Sequence, residues 1–206
     1  MGCQIVDHPL VRAKLTVLRD AATPLQGFRD ALHELSLLVG YEALRDLEEE
    51  TFTVPTPLQP ARGARIRDAI FLMPILRAGL GMAEALSELL PDAPVGHIGM
   101  FRDELTLEPR PYYLRVPPGI AEANVVCVDP MLATGNSAVS AIDQLKKAGA
   151  KRLRLVCVVG CPQGVERMLS AHPDVPIYLA AIDDGLNERG YIVPGLGDAG
   201  DRYYGT

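Results

Sequence analysis

Two stretches near the amino end repeat apolar residues every three or four positions, which is the period of one helix face. The first helix is predicted to begin near Pro9. Pro24 suits the first turn of the second helix, where its missing N–H would have no partner. Gly40 is expected to be a weak point or a close-packing site. The stripes are expected to cover the domain's own core, with a subunit interface as the alternative. They consist of Val11, Leu15 and Leu18, then Leu25, Phe28, Leu32, Leu35 and Val39.

After residue 50 the pattern changes to short apolar runs that alternate with helical stretches. Residues 51–54 are prone to form a strand, and the prolines and glycine of residues 55–63 predict a connection. Continuous, β-branched strands that alternate with helices indicate an α/β fold with a mostly parallel sheet flanked by helices on both faces. The predicted strands are 69–75, 95–101, 124–128, 153–159 and 177–182, and the predicted helices are 79–90, 135–148 and 163–171.

Two segments fit neither period. Residues 102–116 form a polar excursion that is expected either to fold over a bound ligand or to be a solvent-facing hairpin. Residues 183–206 are rich in glycine, yet they contain the apolar cluster Tyr191, Ile192 and Val193, which disordered tails rarely carry. We therefore expect the second segment to be an ordered, functional loop.

Length and charge narrow the class of protein. The 206 residues suit a single domain, 1–206, and the 48% hydrophobic and 22% charged residues are typical of a globular chain. The net charge of -6 argues against nucleic acid as a partner, since phosphate backbones are bound by clusters of Lys and Arg. A few local arginines would still serve an anionic small molecule.

The sequence features that bear on location favour the cytoplasm. Four cysteines lack a CxxC pair, and Cys127 and Cys157 lie in apolar runs, so reduced core thiols are expected instead of disulfides or zinc. The amino end lacks the regions of a signal peptide. The longest strongly apolar run, 69–76, is too short to cross a membrane, so no membrane partner is expected.

The segment VVCVDPMLATGNSA, residues 125–138, is the strongest candidate for an anion site. A strand ends in Asp129 and leads through Thr134 and Gly135 into a helix, and open α/β sheets bind ligands at this end of their strands. The helix start offers N–H groups and a favourable dipole to a phosphate, and Asp129 can accept bonds from two sugar hydroxyls. The alternative is that Asp129 only caps the helix.

Two arginines directly follow predicted strands. Arg77 lies in MPILRAGLGM, residues 73–82, where its fork matches diphosphate oxygens, although a solvated surface arginine is an equal alternative. A dinucleotide fingerprint would place its third glycine at Glu84, which excludes a Rossmann dehydrogenase. Arg102 follows the 95–101 strand in the same way.

The glycines of GYIVPGLGDAGDRYYGT, residues 190–206, let main-chain groups approach a planar ligand directly. These residues alone do not identify that ligand.

Five segments in this order resemble the uracil phosphoribosyltransferases: PILRAGLGM, FRDELTLEP, VDPMLATGNSA, LNERGYIVPGLGDAGDR and YYGT. The resemblance extends from VDHPLVRAKLTVLRD to the carboxyl end. It implies the type I phosphoribosyltransferase fold, with a small hood over the base and an N-terminal helical region. It also implies that uracil and phosphoribosyl pyrophosphate (PRPP) give UMP and pyrophosphate in pyrimidine salvage.

The resemblance assigns roles to individual residues. Arg77 and Arg102 would contact PRPP, and Asp198 would face both substrates; these three and Asp129 would be catalytic. A cis peptide bond is expected between Leu76 and Ala78. The PRPP ribose and 5-phosphate would be held by Asp129, Pro130, Met131, Leu132, Ala133, Thr134, Gly135, Asn136 and Ser137, and uracil by Ile192, Gly197, Asp198 and Ala199.

The resemblance also implies Mg²⁺ as cofactor, carried on PRPP without a direct protein ligand, and a homo-oligomer, dimer or tetramer, with GTP as a candidate effector. Two positions are notable. Pro130 replaces the second acid found in many phosphoribosyltransferases, as in the uracil enzymes, and Asn136 replaces a usual glycine, a change the loop is expected to tolerate. The alternative function is a non-catalytic, PRPP-sensing regulator on the same fold, against which the intact base loop and the lack of a basic run argue.

Overall fold

A central sheet of seven strands organises the protein, which a computed structural model describes for residues 2–102 and 109–206. The described helices are α1 (Pro9–Arg19), α2 (Leu25–Ala43), α3 (Gly79–Leu89), α4 (Asn136–Lys147), α5 (Pro162–Ala171) and α6 (Ala199–Tyr204), with a 3₁₀ turn at Ile120–Glu122. The described strands are β1 (Cys3–Ile5), β2 (Glu49–Val54), β3 (Ala61–Ile66), β4 (Ile70–Leu76), β5 (His97–Arg102), β6 (Pro109–Arg115), β7 (Asn124–Val128), β8 (Met131–Leu132), β9 (Arg152–Val156), β10 (Val159–Gly160), β11 (Ile177–Leu179), β12 (Ala181–Ile182), β13 (Gly185–Leu186) and β14 (Ile192–Val193).

The strand order in space is β1-β11-β9-β7-β4-β5-β6, and within these described strands only the β5–β6 pair is antiparallel. The predicted α/β class with a mostly parallel sheet is therefore confirmed. Parallel strands end at one common edge, which brings together the segments that follow β4, β5 and β7. Arg77, Arg102 and Asp129 are the residues at those ends.

Both faces of the sheet are covered. Alternate residues of a strand point to opposite faces, so Leu72 packs with the α1, α2 and α3 side while neighbouring Met73 packs with the α4 and α5 side. The apolar stripes of α1 and α2 are buried in this core, as predicted, apart from Leu25, which is 40% exposed. A Cβ on Gly40 would lie 2.2 Å from Leu86 Cδ2, which makes Gly40 a close-packing site.

The connection predicted at 55–63 was wrong in extent. β3 begins at Ala61 and pairs antiparallel with β2, so the turn is confined to residues 55–60. Gly63 belongs to the strand, where a Cβ would lie 3.2 Å from the Phe52 ring. The strand β1 was missed because three residues are too few to show a period, and it forms only by pairing with β11.

The two irregular segments acquire structure from pairing and capping. Residues 109–115 form β6, which pairs antiparallel with β5, so this part of the excursion is a hairpin strand, as in the second of the two alternatives. Residues 103–108 of the excursion lie outside the described part. The carboxyl-terminal segment is ordered: β13 pairs with β14, and α6 follows. Among the described residues, no helix is long and apolar enough to cross a membrane.

Candidate active site

Three segments meet at the carboxyl edge of the sheet. The first residue of α3, Gly79, lies so close to β7 that a Cβ would come within 2.5 Å of the Val128 carbonyl oxygen. The turn before it reaches α6, since Arg77 Nη2 lies 3.3 Å from Asp201 Oδ1. The turn after β4, the end of β7 and the carboxyl-terminal segment therefore form one site.

The main chain at Arg77 has the conformation expected at this edge. The Leu76–Arg77 peptide bond is cis, as expected from the resemblance. The Tyr204 hydroxyl donates to the Arg77 carbonyl oxygen at 3.1 Å, and the guanidinium carbon lies 5.6 Å from the centre of the Tyr204 ring. The Arg77 side chain is 58% exposed, so it is accessible to an anion from solvent.

Asp129 directly follows β7 and is largely shielded from solvent. Its Oδ1 accepts a hydrogen bond from the Met131 N–H at 3.3 Å. Burial raises the pKa of Asp129 to about 7, and the nearby Asp198 carboxylate adds to this effect, while the Met131 bond opposes it. Geometry places Asp198 in the same site, since a Cβ on Gly200 would lie 3.2 Å from Asp198 Oδ1 and 4.0 Å from Arg77 Nη2.

The loop from Asp129 into α4 is anchored through its main chain. The carbonyl oxygen of Pro130 accepts bonds from the N–H groups of Val158 and Val159 at 3.1 and 3.0 Å. Gly135 precedes α4 with a φ of 78°, a left-handed angle that favours glycine. Asn136 begins α4, so it needs no left-handed angle, and the loop forms despite the missing glycine, as predicted.

The first turn of α5 supports this loop from behind, which the sequence did not indicate. The Cys161 N–H donates to Leu132 O at 3.2 Å, and its thiol donates to Ala133 O at 3.0 Å. A Cβ on Gly164 would lie 2.4 Å from the same two carbonyl oxygens. These residues are about 30 positions apart in the chain, so no local pattern could reveal the contact.

The four residues expected to hold uracil lie together in the carboxyl-terminal segment. Ile192 and Ala199 are buried, and Gly197 has a φ of 83°. Asp198 caps α6, since its Oδ1 accepts a bond from the Asp201 N–H at 2.9 Å. Asp198 is therefore at least a helix cap, and its charge also reaches Asp129.

Sequence reasoning missed the arginines and the acid that hold this segment. Arg19 pairs with Asp183 and donates to Gly195 O. Arg202 donates to Leu196 O at 2.9 Å and to Asp20 O at 2.7 Å. A local signal existed only for Asp183, an acid directly after an apolar strand.

Arg102 ends β5, beside β4 in the sheet, so its main chain lies at the same edge as Arg77. Its side chain lies outside the described part, and the expected PRPP contact stays a prediction. The edge thus combines a cation, a shielded acid and a helix start behind a glycine turn, which suits an anionic sugar phosphate.

Comparison with known proteins identifies the family. A family profile described as uracil phosphoribosyltransferase matches residues 5–206. A uracil phosphoribosyltransferase of Halalkalibacterium halodurans is 50% identical over 203 residues, which is 98% of this chain and 97% of that protein. One from Streptococcus pyogenes is 49% identical over 205 residues, 99% of this chain and 98% of that protein.

Solved structures agree on the architecture. A protein from Aquifex aeolicus superposes with a TM-score of 0.93 at 36% identity, covering 98% of this chain and 97% of that one. An adenine phosphoribosyltransferase from Trypanosoma brucei, at 12% identity and a TM-score of 0.56, covers 88% of this chain and 82% of that one and shares the fold alone. The protein has the type I phosphoribosyltransferase fold, and the chain belongs to the uracil phosphoribosyltransferase family.

Proposed function

We propose that this chain is a uracil phosphoribosyltransferase, a pentosyltransferase that moves the 5-phosphoribosyl group of PRPP to N1 of uracil and releases pyrophosphate. One observation carries the proposal beyond family membership: the Asp129 loop, the Arg77 turn and the segment around Asp198 meet at one edge of the sheet. A reaction between two substrates needs both binding segments within reach of each other, and this edge supplies that arrangement.

PRPP is held, in this proposal, by the loop after β7 and by two arginines. Asp129 accepts hydrogen bonds from the ribose hydroxyls, and the main chain of residues 130–137 with the start of α4 binds the 5-phosphate. Arg77 and Arg102 bind the pyrophosphate, for which the guanidinium fork is well shaped. These assignments are supported by position: Arg77, Arg102 and the loop from Asp129 to α4 follow the carboxyl ends of the adjacent strands β4, β5 and β7.

Uracil is held by main-chain groups around Ile192, Gly197, Asp198 and Ala199. Its edge presents two carbonyl acceptors on either side of an N–H donor, and glycine-rich backbone can match that pattern closely. The amino group of cytosine would place an N–H donor against a main-chain N–H donor. Buried groups left unpaired in that way can give discrimination of up to about 10⁴-fold.

The reaction requires no covalent nucleophile. The bond from the anomeric carbon to pyrophosphate breaks ahead of full bond formation, and its electron pair leaves with pyrophosphate. The arginines stabilise the departing charge, while the base segment holds uracil N1 in line with the anomeric carbon. The new C–N bond forms from the N1 lone pair, and the N1 proton is released.

The donor set is consistent with Mg²⁺ carried on PRPP. Mg²⁺ sites on phosphate substrates use one or two carboxylates with substrate oxygens and water, and Asp129 and Asp198 are two of the carboxylates at this edge, which also holds Asp201. When bound, the ion would neutralise charge on the pyrophosphate. In this proposal PRPP oxygens are its ligands, and the two aspartates act on the sugar and the base.

We also propose that the chain works in the cytoplasm as a homo-oligomer, dimer or tetramer, with GTP as a candidate effector. Large apolar side chains on the two hairpins support assembly: Phe52 is 43%, Ile66 47%, Phe101 51% and Tyr112 57% exposed. Light scattering on a sizing column gives the oligomeric state, and addition of GTP to the assay below tests the effector.

A radiolabelled-base assay tests the function. The purified chain is incubated with PRPP and Mg²⁺ and, in parallel, with uracil, cytosine, hypoxanthine or orotate. With PRPP present, we expect nucleotide formation from uracil and from none of the other three bases. Without PRPP we expect no nucleotide. Turnover of another base would reassign the substrate, and no turnover with PRPP still bound would favour the non-catalytic regulator.

A further inference from the structure

Residues 192–199 are the proposed uracil segment. Two side chains from outside this segment form hydrogen bonds to Gly195, in its middle. Asp183, directly after β12, accepts a hydrogen bond on Oδ2 from the Gly195 N–H at 2.8 Å. Arg19, the last residue of α1, donates from Nη1 to the Gly195 carbonyl oxygen at 2.9 Å. The same residue is therefore bonded through both its N–H and its C=O to side chains of distant elements.

Arg19 and Asp183 also bind each other. Arg19 Nη1 lies 2.7 Å from Asp183 Oδ2, and Nη2 lies 2.5 Å from Oδ1, which is the two-pronged geometry of a strong ion pair. The side chain of Asp183 is only 5% exposed, and that of Arg19 is 25% exposed. A carboxylate this deeply buried needs its cation, because an unpaired charge in such a place is very costly.

The turn around Gly195 is tight, and only a residue without a side chain fits it. Gly195 has a φ of 61°, and a Cβ at this position would lie 2.1 Å from the Ile192 carbonyl oxygen. Ile192 and Gly197 stand on either side of this residue, and both are proposed to contact uracil. A shift of Gly195 would therefore move the main-chain groups on both sides of the base.

We propose that Arg19 and Asp183 are positioning residues for uracil: by fixing Gly195 they set the spacing of Ile192 and Gly197. The inference rests on the proposed uracil function of residues 192–199. Neither residue touches the base, and the pair acts through Gly195 alone. The described contacts of the pair do not include Arg77 or the Asp129 loop, so its loss should act on uracil and spare PRPP.

The test is steady-state kinetics of Arg19→Met, which keeps the length of the side chain and removes its charge and donors. We expect the KM for uracil to rise about tenfold or more, since a displacement of a binding group by an ångström has effects of this size. The KM for PRPP should stay within about twofold, since the described contacts of Arg19 and Asp183 involve no residue of the proposed PRPP site.

Two variants make the result specific. Arg12→Met removes an arginine from the same helix, where it pairs with the exposed Asp7, and should leave both KM values unchanged. Arg19→Lys keeps the charge without the two-pronged fork, so it should recover part of the lost uracil affinity.

An unchanged uracil KM in Arg19→Met overturns the proposal, and so do equal rises in both KM values. If Arg19→Met fails to fold, Arg19→Lys and the isosteric Asp183→Asn carry the comparison, and wild-type uracil KM values in both overturn it. A wild-type chain that converts no uracil is a separate result, because it refutes the proposed function before any variant is compared.

Discussion

Arg77 Nη2 lies 3.3 Å from Asp201 Oδ1, so the turn after β4 is joined to α6 across 124 positions of the chain. Both side chains are at least half exposed, and an exposed pair of this kind contributes little to stability. An arginine that is held weakly and remains accessible can exchange its partner for a stronger anion. This relationship is the structural basis for expecting Arg77 to bind the pyrophosphate of PRPP.

Arg77→Ala should weaken PRPP binding by about 1.5–3 kcal/mol, because a charge-assisted contact to the diphosphate is lost. Uracil affinity should change little. The measurement is the KM or Kd of each substrate, with Arg65→Ala as the control, since Arg65 forms an exposed pair with Glu50 on the β2–β3 hairpin. Equal losses for both substrates would contradict the assignment.

Asp129→Asn should lower activity, because the amide holds the ribose hydroxyls less well than a carboxylate, while the shape of the loop is retained.

The pH profile of the reaction offers a sharper test of Asp129. Burial raises the pKa of Asp129 to about 7. In the wild type kcat/KM for PRPP, which reports the free enzyme, should therefore rise as pH increases through about 7. The variant should lack this step, and wild-type kinetics in it would leave Asp129 only a structural role.

The same carboxyl predicts how stability depends on pH. The folded pKa of about 7 lies above the ordinary aspartate value of 3.8, so the folded chain binds more protons than the unfolded chain between these pH values. Asp129 therefore costs stability as pH rises from about 4 to 7, and the cost is complete above 7. Because the residue is partly exposed, we expect about 1–2 kcal/mol. The free energy of unfolding can be measured by chemical denaturation at pH 5 and pH 8. Relative to the wild type, Asp129→Asn should be more stable at pH 8 than at pH 5. The same difference between variant and wild type at both pH values would argue against the raised pKa.

Gly164→Ala should disturb the PRPP loop from α5. Its Cβ would lie 2.4 Å from Leu132 O and Ala133 O, which are backbone atoms that cannot rotate away. We expect a loss of about 1–3 kcal/mol in the free energy of unfolding, as for overpacked sites, and a raised KM for PRPP. Gly2→Ala, with nothing within 4 Å of its Cβ, is the matched control. An unaltered PRPP KM in Gly164→Ala would show that α5 does not position the loop.

Local patterns predicted the elements that have a clear period and length. The stripes of α1 and α2, the buried runs of β4 and β7 and the glycine turn before α4 were all visible in the chain, because burial of one face or both imposes its period on the residues. The expected order of strand ends also placed Arg77, Arg102 and Asp129 at one edge, since parallel strands share a direction.

Short or partner-dependent features were not visible. β1 forms only against β11, and six-residue α6 depends on a cap from Asp198, so neither carries a period long enough to detect. Contacts such as Cys161 with Ala133 join residues that are far apart in the chain.

The α/β class, the ligand edge of the sheet and the family can be predicted from the residues alone, because periodicity and motifs are local properties. The contacts of Arg19 and Asp183 with Gly195, and the packing of Gly164 against the loop after Asp129, become visible only in the folded chain. Such contacts depend on the directions in which folded elements present their side chains, and residues 164 positions apart leave no local trace of them.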